Sequence, residues 1–220
     1  MQRFFDILFS SLAILVLSPL FIPVILILKF SGEGEVFYKQ KRVGKDMKEF
    51  DLLKFATMLK DSENLGTRDI TIANDPRILP FGKILRKTKI NELPQLINIL
   101  FGDMSVVGPR PLVRNTFEQY DGGSQKIISS VKPGLSGIGS IFFRDEEVFL
   151  KDHSDPRKFY FEHISPYKSA LEVWFVQNNS IIIYFKVIIA TVIMVISPTS
   201  KSFKTFFKNL PEAPSMLSKE

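Results

Sequence analysis

Lys54, Arg77, Arg86 and Arg110 fall, in sequence, on either side of a segment that pairs one carboxylate, Glu92, with the amide of Asn91. Guanidinium and ammonium groups clustered in this way suit the oxygens of a phosphate or pyrophosphate. For any one of these cations a solvated basic face is the competing reading. Arg110 differs, because Pro109 and Pro111 pre-set its backbone and reduce the entropy it loses on binding an anion. Other chemistries are excluded by what the chain lacks. It has no Cys, so a thiol nucleophile, a Cys-ligated zinc, an iron–sulfur cluster and a disulfide scaffold are all ruled out. His153 and His163 lie far from Glu92 with no third ligand nearby, and both read as surface or interface residues. No P-loop, dinucleotide fingerprint or H-E-x-x-H motif is present.

The elements that must position these groups are legible in outline. Residues 35–40 and 48–55 read as two short strands with Gly44 in the turn between them. Residues 61–75 are polar and loop-like. Residues 83–89 form a basic helical stretch. Asn91 is an expected N-cap, with Glu92 favoured by the helix dipole and Pro94 tolerated in the first turn. Leu93, Leu96, Ile97 and Leu100 then share an apolar face, and Gly102 suits the position just after the helix.

The chain has 220 residues, with 29 Lys and Arg against 23 Asp and Glu, a net charge of +6 that points to an anionic partner. The charge forms no long run and the aromatics lie mostly in apolar segments, so nucleic acid is a weak candidate. Two apolar segments point to a membrane instead. Residues 7–28 carry no charge and are long enough for a membrane helix. Ser18, Pro19 and Pro23 interrupt the run, and basic residues flank it on both sides: Arg3 before it, and Lys29, Lys39, Lys41, Arg42 and Lys45 after it. Positive residues mark the cytoplasmic face. A helix that enters, bends at Ser18–Pro19 and returns is therefore preferred to a simple span. Residues 181–197 form a second apolar helix capped by Asn178, Asn179 or Ser180. It is read as interfacial with Lys186 snorkelling, and a buried core helix is the alternative. Trp174, Phe175, Tyr184 and Phe185 read equally as interfacial anchors or as core. The expected organisation is a re-entrant membrane helix over 1–30, a cytoplasmic domain over 31–176, an apolar interfacial helix over 177–198 and a fraying basic, polar tail over 199–220.

The motifs taken together resemble the bacterial sugar transferases, the small monotopic phosphoglycosyl transferases. The similarity covers about residues 2–190. It rests on Arg3, Asp6, Ser18 and Pro19, on F-Y-K-Q-K-R-V-G (37–44) and D-P-R-I-L-P-F-G-K-I-L-R-K-T (75–88), and on N-E-L-P-Q-L-I-N-I-L-F-G-D-M-S-V-V-G-P-R-P (91–111) and K-P-G-L-S-G (132–137). The resemblance implies a membrane-associated α/β fold: a re-entrant helix-break-helix with its hinge at Ser18 and Pro19, a small α/β catalytic part and interfacial amphipathic helices. It implies transfer of a sugar 1-phosphate from a UDP-sugar to polyprenyl (undecaprenyl) phosphate, with release of UMP, as the step that initiates a surface polysaccharide or glycoconjugate. Mg²⁺ is the implied cofactor. The implied location is the cytoplasmic face of the bacterial inner membrane, in contact with its lipid and with other glycan-assembly enzymes. Arg110, Arg86, Lys54 and Arg77 become phosphate ligands, and Asp103, Pro109, Pro111 and Gly134 shape the active-site loop.

The family pairs an adjacent Asp and Glu. The Asp attacks the sugar-proximal phosphorus, and the lipid phosphate displaces the resulting phosphosugar. Here the pair is Asn91–Glu92, and an amide is a poor nucleophile. A basic residue usual in the family is here Ala56. After Gly137 the chain departs again, with Asp145, Glu146 and Glu147 following Arg144. Glu92 is thus the leading candidate for nucleophile or Mg²⁺ ligand. Asp145 and Glu146 are candidates to supply the missing carboxylate, against the reading of a solvated turn. Direct transfer without a covalent intermediate, and a non-catalytic relative that binds nucleotide-sugar or polyprenyl phosphate as a scaffold or regulator, are the alternatives.

Overall fold

The computed structural model describes residues 1–65, 75–144, 146–150, 153–197 and 206–217, apart from the side chains of Glu63 and Glu147. Asp145 lies outside the described residues, as do most of the 61–75 loop and the start of the tail.

The fold is a mixed α/β body beside one long apolar helix. Helix α1 (Gln2–Phe30) is helical throughout, with Pro19 and Pro23 inside it and the Ser18 hydroxyl donating to the Leu15 carbonyl at 2.8 Å. Among the described residues it alone is long and apolar enough to cross a membrane by length and composition. Strands β1 (Phe37–Val43) and β2 (Glu49–Phe55) form an antiparallel hairpin that pairs Phe37 with Phe55 and Val43 with Glu49. The first strand therefore lies two to three residues later than the 35–40 expected. The turn needs left-handed backbone at Asp46 (φ 56°) and Met47 (φ 62°) and not at Gly44.

Helix α2 (Pro80–Lys87) is followed by a tight turn at Lys89, a 3₁₀ turn over Ile90–Glu92 and helix α3 (Gln95–Phe101). Asn91 is consequently not a helix cap. It sits inside the 3₁₀ turn, and Pro94 stands at the head of α3. Gly102, at φ 97°, closes α3 as expected. The buried residues of α3 are Gln95, Leu96, Asn98 and Ile99, so of the expected face Leu93, Leu96, Ile97 and Leu100 only Leu96 is fully buried. The cause is Asn98, whose amide donates to the Asp51 carbonyl at 2.8 Å and accepts from the Leu53 N–H at 3.0 Å. These bonds dock α3 on β2 through a polar residue, which a purely hydrophobic pattern does not anticipate.

Strand β3 (Ser105–Val107) pairs in parallel with β4 (Gly134–Ser136) across a crossover containing helices α4 (Arg114–Phe117) and α5 (Gly122–Ile128). Gly134 lies so close to Gly108 that a methyl group there would overlap the Gly108 nitrogen. Short helices α6 (Ile138–Phe142), α7 (Glu146–Leu150) and α8 (Pro156–Phe159) and a π turn (Tyr160–Ile164) lead into α9 (Ser165–Gln177) and α10 (Ile181–Ile196). Ser180 is the cap of α10, its hydroxyl accepting from the Ile183 N–H at 3.2 Å.

The main core gathers Ile138, Leu171, Phe175, Tyr184 and Val187. Phe175 and Tyr184 are thus core residues, not interfacial anchors. Phe207 and Leu217 of the tail are buried in the same core, and the Tyr167 hydroxyl donates to the Pro211 carbonyl at 3.0 Å. Residues 206–217 therefore dock rather than fray. Lys186 is drawn in with them, its ammonium donating to the Phe206 carbonyl at 3.1 Å instead of snorkelling to an interface.

Helix α1 is tied to this body along its length. Arg3 donates to the Ile99 and Leu100 carbonyls at the end of α3. Buried Asp6 accepts from the Ser105 hydroxyl (2.8 Å), the Val106 N–H (2.9 Å) and the Tyr184 hydroxyl (2.9 Å). Further along, Ala13, Ile14 and Leu17 pack on Leu52, Leu96 and Met104, and Val24 and Leu28 pack with Phe55 and Leu85. Asp6→Ala leaves three donors at one site without an acceptor. It is expected to destabilise the detergent-held protein by roughly 2–4 kcal/mol, read as a lowered melting temperature, with Asp6→Asn costing less.

Candidate active site

The hairpin, α2, the 3₁₀ turn and the loop after β3 converge on one cleft of about 1220 Å³. Its lining includes Arg42 from β1, Lys54 from β2, Arg86 from α2, Lys89 from the tight turn and Arg110 from the loop after β3, among other Lys and Arg side chains. Asn91 and Glu92 lie among them. Arg110 Nη2 meets Glu92 Oε1 at 3.0 Å. Burial pushes the Glu92 carboxyl up, but the charges of Arg110, Lys54 and Lys89 outweigh it and hold it at about 2. Glu92 is therefore ionised at any physiological pH. Asn91 is 5% exposed, and its Oδ1 is buried with no hydrogen-bond partner.

Lys54 is pushed down to about 7, by burial first and then by Arg42, against the opposing pull of Glu92. Its charge is lost as pH rises through that value. An anionic ligand would bind the protonated form better. Its KM is accordingly expected to rise by up to tenfold per pH unit above roughly pH 7, and Lys54→Arg should flatten that dependence.

Arg110 is held from behind as well. Its backbone N–H donates to Glu172 of α9 at 3.2 Å. Glu172 is 4% exposed, and its Oε2 has no partner. It is packed so closely over Gly139 that a methyl group there would sit 2.5 Å from Oε1. Burial pushes this carboxyl up to about 7 from 4.5. The folded state thus keeps a proton that the unfolded chain releases. Wild-type stability relative to Glu172→Gln is full below about pH 4.5 and is lost as pH rises through about 7. The expected difference reaches roughly 3 kcal/mol across that window, measured by denaturant melts at its two ends.

The structure does not bring every expected group here. Arg77 is 4% exposed, and its guanidinium grips Asp75 with contacts of 2.9 and 2.6 Å while also donating to the Ser62 and Leu65 carbonyls. It anchors a loop instead of facing the cleft. Asp103 is exposed and accepts from the Asn98 amide at 3.3 Å, bracing the turn after α3. Pro109 and Pro111 are buried on either side of Arg110. Glu146 lines the cleft but is engaged by Lys168 at 2.6 Å. His153 stacks on Phe159 at 3.6 Å, away from Glu92. Three contributors are not singled out for the site by the sequence: Arg42 and Lys89, which read only as part of a basic flank and a basic helical stretch, and Glu172, which gives no cue.

A cleft in which Arg110, Lys54 and Lys89 hold Glu92 ionised and further Lys and Arg side chains line the wall, set beside an apolar helix, defines a phosphate-handling protein of the membrane surface. The chain belongs to the bacterial sugar transferase family, whose model matches residues 1–198. It is 39% identical over 161 residues to the exopolysaccharide production protein ExoY of Rhizobium meliloti, covering 66% of this chain and 70% of that protein. It is 34% identical over 202 residues to the exopolysaccharide production protein PSS of Rhizobium leguminosarum bv. phaseoli, covering 88% and 94%. It is also 36% identical over 182 residues to the UDP-glucose:undecaprenyl-phosphate glucose-1-phosphate transferase of Escherichia coli K12. That match covers 80% of this chain but 37% of the longer transferase.

Proposed function

We propose that this chain transfers a sugar 1-phosphate from a UDP-sugar to undecaprenyl phosphate, releasing UMP, and so initiates assembly of a surface polysaccharide. The observation that carries the reading is Glu92, a carboxylate paired with Arg110 at 3.0 Å and kept ionised by Arg110, Lys54 and Lys89 in a cleft rich in Lys and Arg. Similarity to a protein named for that reaction and to exopolysaccharide production proteins supports it. Arg110, Lys54, Arg86 and Arg42 would neutralise the diphosphate, and the charge that develops as the phosphorus–oxygen bond to UMP breaks would fall on the same groups. Arg110 is presented by a proline-flanked loop with Glu172 behind it, so its cost of ordering is low.

Mg²⁺ fits this site in one way. Among the described residues no group of three or more His, Asp or Glu side chains forms a metal cage. Glu92 and the partnerless Oδ1 of Asn91 offer two oxygens, which suits an ion that keeps its waters and is otherwise held by substrate phosphates. When bound, the ion would neutralise charge on the transferring phosphoryl group.

The membrane arrangement follows from α1. Its start is fastened to α3 and its end to α2 and β2 of the same body. A straight transmembrane span would carry one end away from that body. Both ends packed on the same body support a re-entrant helix, with Ser18 and Pro19 as its proposed hinge, and a catalytic part on the cytoplasmic face. A second reading, a binding scaffold, is favoured by the amide at position 91. The deciding experiment is UMP release by nanodisc-held protein given undecaprenyl phosphate, Mg²⁺ and a panel of UDP-sugars. Turnover with any of them supports transfer, and silence with retained UDP-sugar binding supports the scaffold.

A further inference from the structure

The cleft has a second wall that a UDP-sugar does not need. Helix α10 turns two neighbouring faces in different directions. Tyr184, Val187, Ala190 and Met194 face the core. Ile188, Thr191, Val192 and Val195, spaced three and four residues apart, line the cleft. Val192 is 52% and Val195 63% exposed, so this apolar wall is open to the outside. Its position is fixed: the Ser136 and Thr191 hydroxyls bond at 2.6 Å, and Arg144 donates to the Met194 carbonyl. One cavity thus joins a cationic wall to an outward-opening hydrocarbon stripe. The exposed apolar face of α1 lies elsewhere, because no residue of that helix lines the cleft.

We infer that the stripe Ile188–Val192–Val195 is the track along which the isoprenoid chain of the lipid-phosphate acceptor enters, with its phosphate reaching the Arg110 end. The inference rests on the transfer reading above and names where its acceptor lies. An anionic headgroup on a branched hydrocarbon chain matches both walls at once, whereas a nucleotide-sugar is polar along its whole length. Helix α1 then meets bulk lipid, and α10 selects the acceptor.

The test is photolabelling of the full chain in nanodiscs with a diazirine-bearing geranylgeranyl phosphate, mapped by peptide mass spectrometry. Labels on Ile188, Val192 or Val195 that undecaprenyl phosphate displaces and phosphatidylglycerol does not are the expected result. Labels confined to residues 2–30 overturn the inference. So does equal displacement by phosphatidylglycerol, which would make the stripe an ordinary lipid contact, and so does labelling that neither lipid displaces. Val192→Trp should raise KM for the polyprenyl phosphate about tenfold and leave KM for the UDP-sugar unchanged. Labelling needs no turnover, so displaceable labels on α10 without UMP release would keep the acceptor track and defeat the transfer reading. Turnover without label on α10 would do the reverse.

Discussion

Glu92→Gln is expected to slow UMP release by about 10³-fold while leaving the protein folded. The substitution keeps the shape and removes one negative charge. That charge holds Arg110 at 3.0 Å and keeps part of the positive character of Lys54, whose ammonium is already pushed down to about 7. Without it the site becomes more positive, so the anionic donor should bind as well as before or better. The loss then falls on kcat and not on KM, which a merely structural role would not produce. Stability should fall too, by up to roughly 3 kcal/mol near neutral pH, because Glu92 is only 15% exposed and its carboxyl is held at about 2 against an ordinary 4.5. Steady-state kinetics and a thermal melt in the same detergent check both halves. An unchanged kcat removes Glu92 from the chemistry. UMP release measured without lipid acceptor separates the two roles open to Glu92. A single burst with a phosphosugar adduct on Glu92 marks a nucleophile, and no release marks a metal ligand serving direct transfer.

How much of this was legible in the sequence depended on whether a residue's surroundings were local. Arg110 and Glu92 could be read because prolines and a short helical turn fix their backbones within a few residues. Arg77 misled for an equally local reason. Asp75 stands two residues earlier, and the turn between them folds the guanidinium back onto it. A carboxylate so near an arginine is a signal that could have been weighed. Glu172 gave no signal, because a lone glutamate on a helix reads as exposed until α6 and the loop after β3 pack over it. Residues 206–217 were hidden by composition. Lys201, Lys204 and Lys208, with the prolines and serines after them, read as a solvated tail, while Phe207 and Leu217 supply buried anchors. Asn98 shifted the buried face of α3 by making polar contacts to β2 that periodicity cannot foresee.

The converse substitution, Asn91→Asp, is expected to raise UMP release by about 10²-fold, roughly 3 kcal/mol off the barrier. The amide now at this position has a lone pair too weakly basic to attack phosphorus. A carboxylate would normally resist a place that is 5% exposed, since burial favours its neutral form. The adjacent residue shows how this site answers that penalty. Burial penalises the charge of Glu92 as well, yet the cations hold its carboxyl at about 2. Arg110, Lys54 and Lys89 already hold Glu92 ionised, and Arg42 and Arg86 line the same cleft, so an introduced carboxylate should stay ionised beside it. It would also restore the acidic pair that the resemblance expects. The gain should come with a new feature, a burst of one UMP per enzyme in the absence of lipid acceptor and a phosphosugar adduct at position 91. A faster enzyme with that burst would mean that the wild-type chain runs the same reaction without its best nucleophile. Activity in the variant alone would mean that the wild-type site binds its ligands and stops there. A slower variant would mean that Glu92 already carries the whole carboxylate role and that a second charge beside it competes for Arg110.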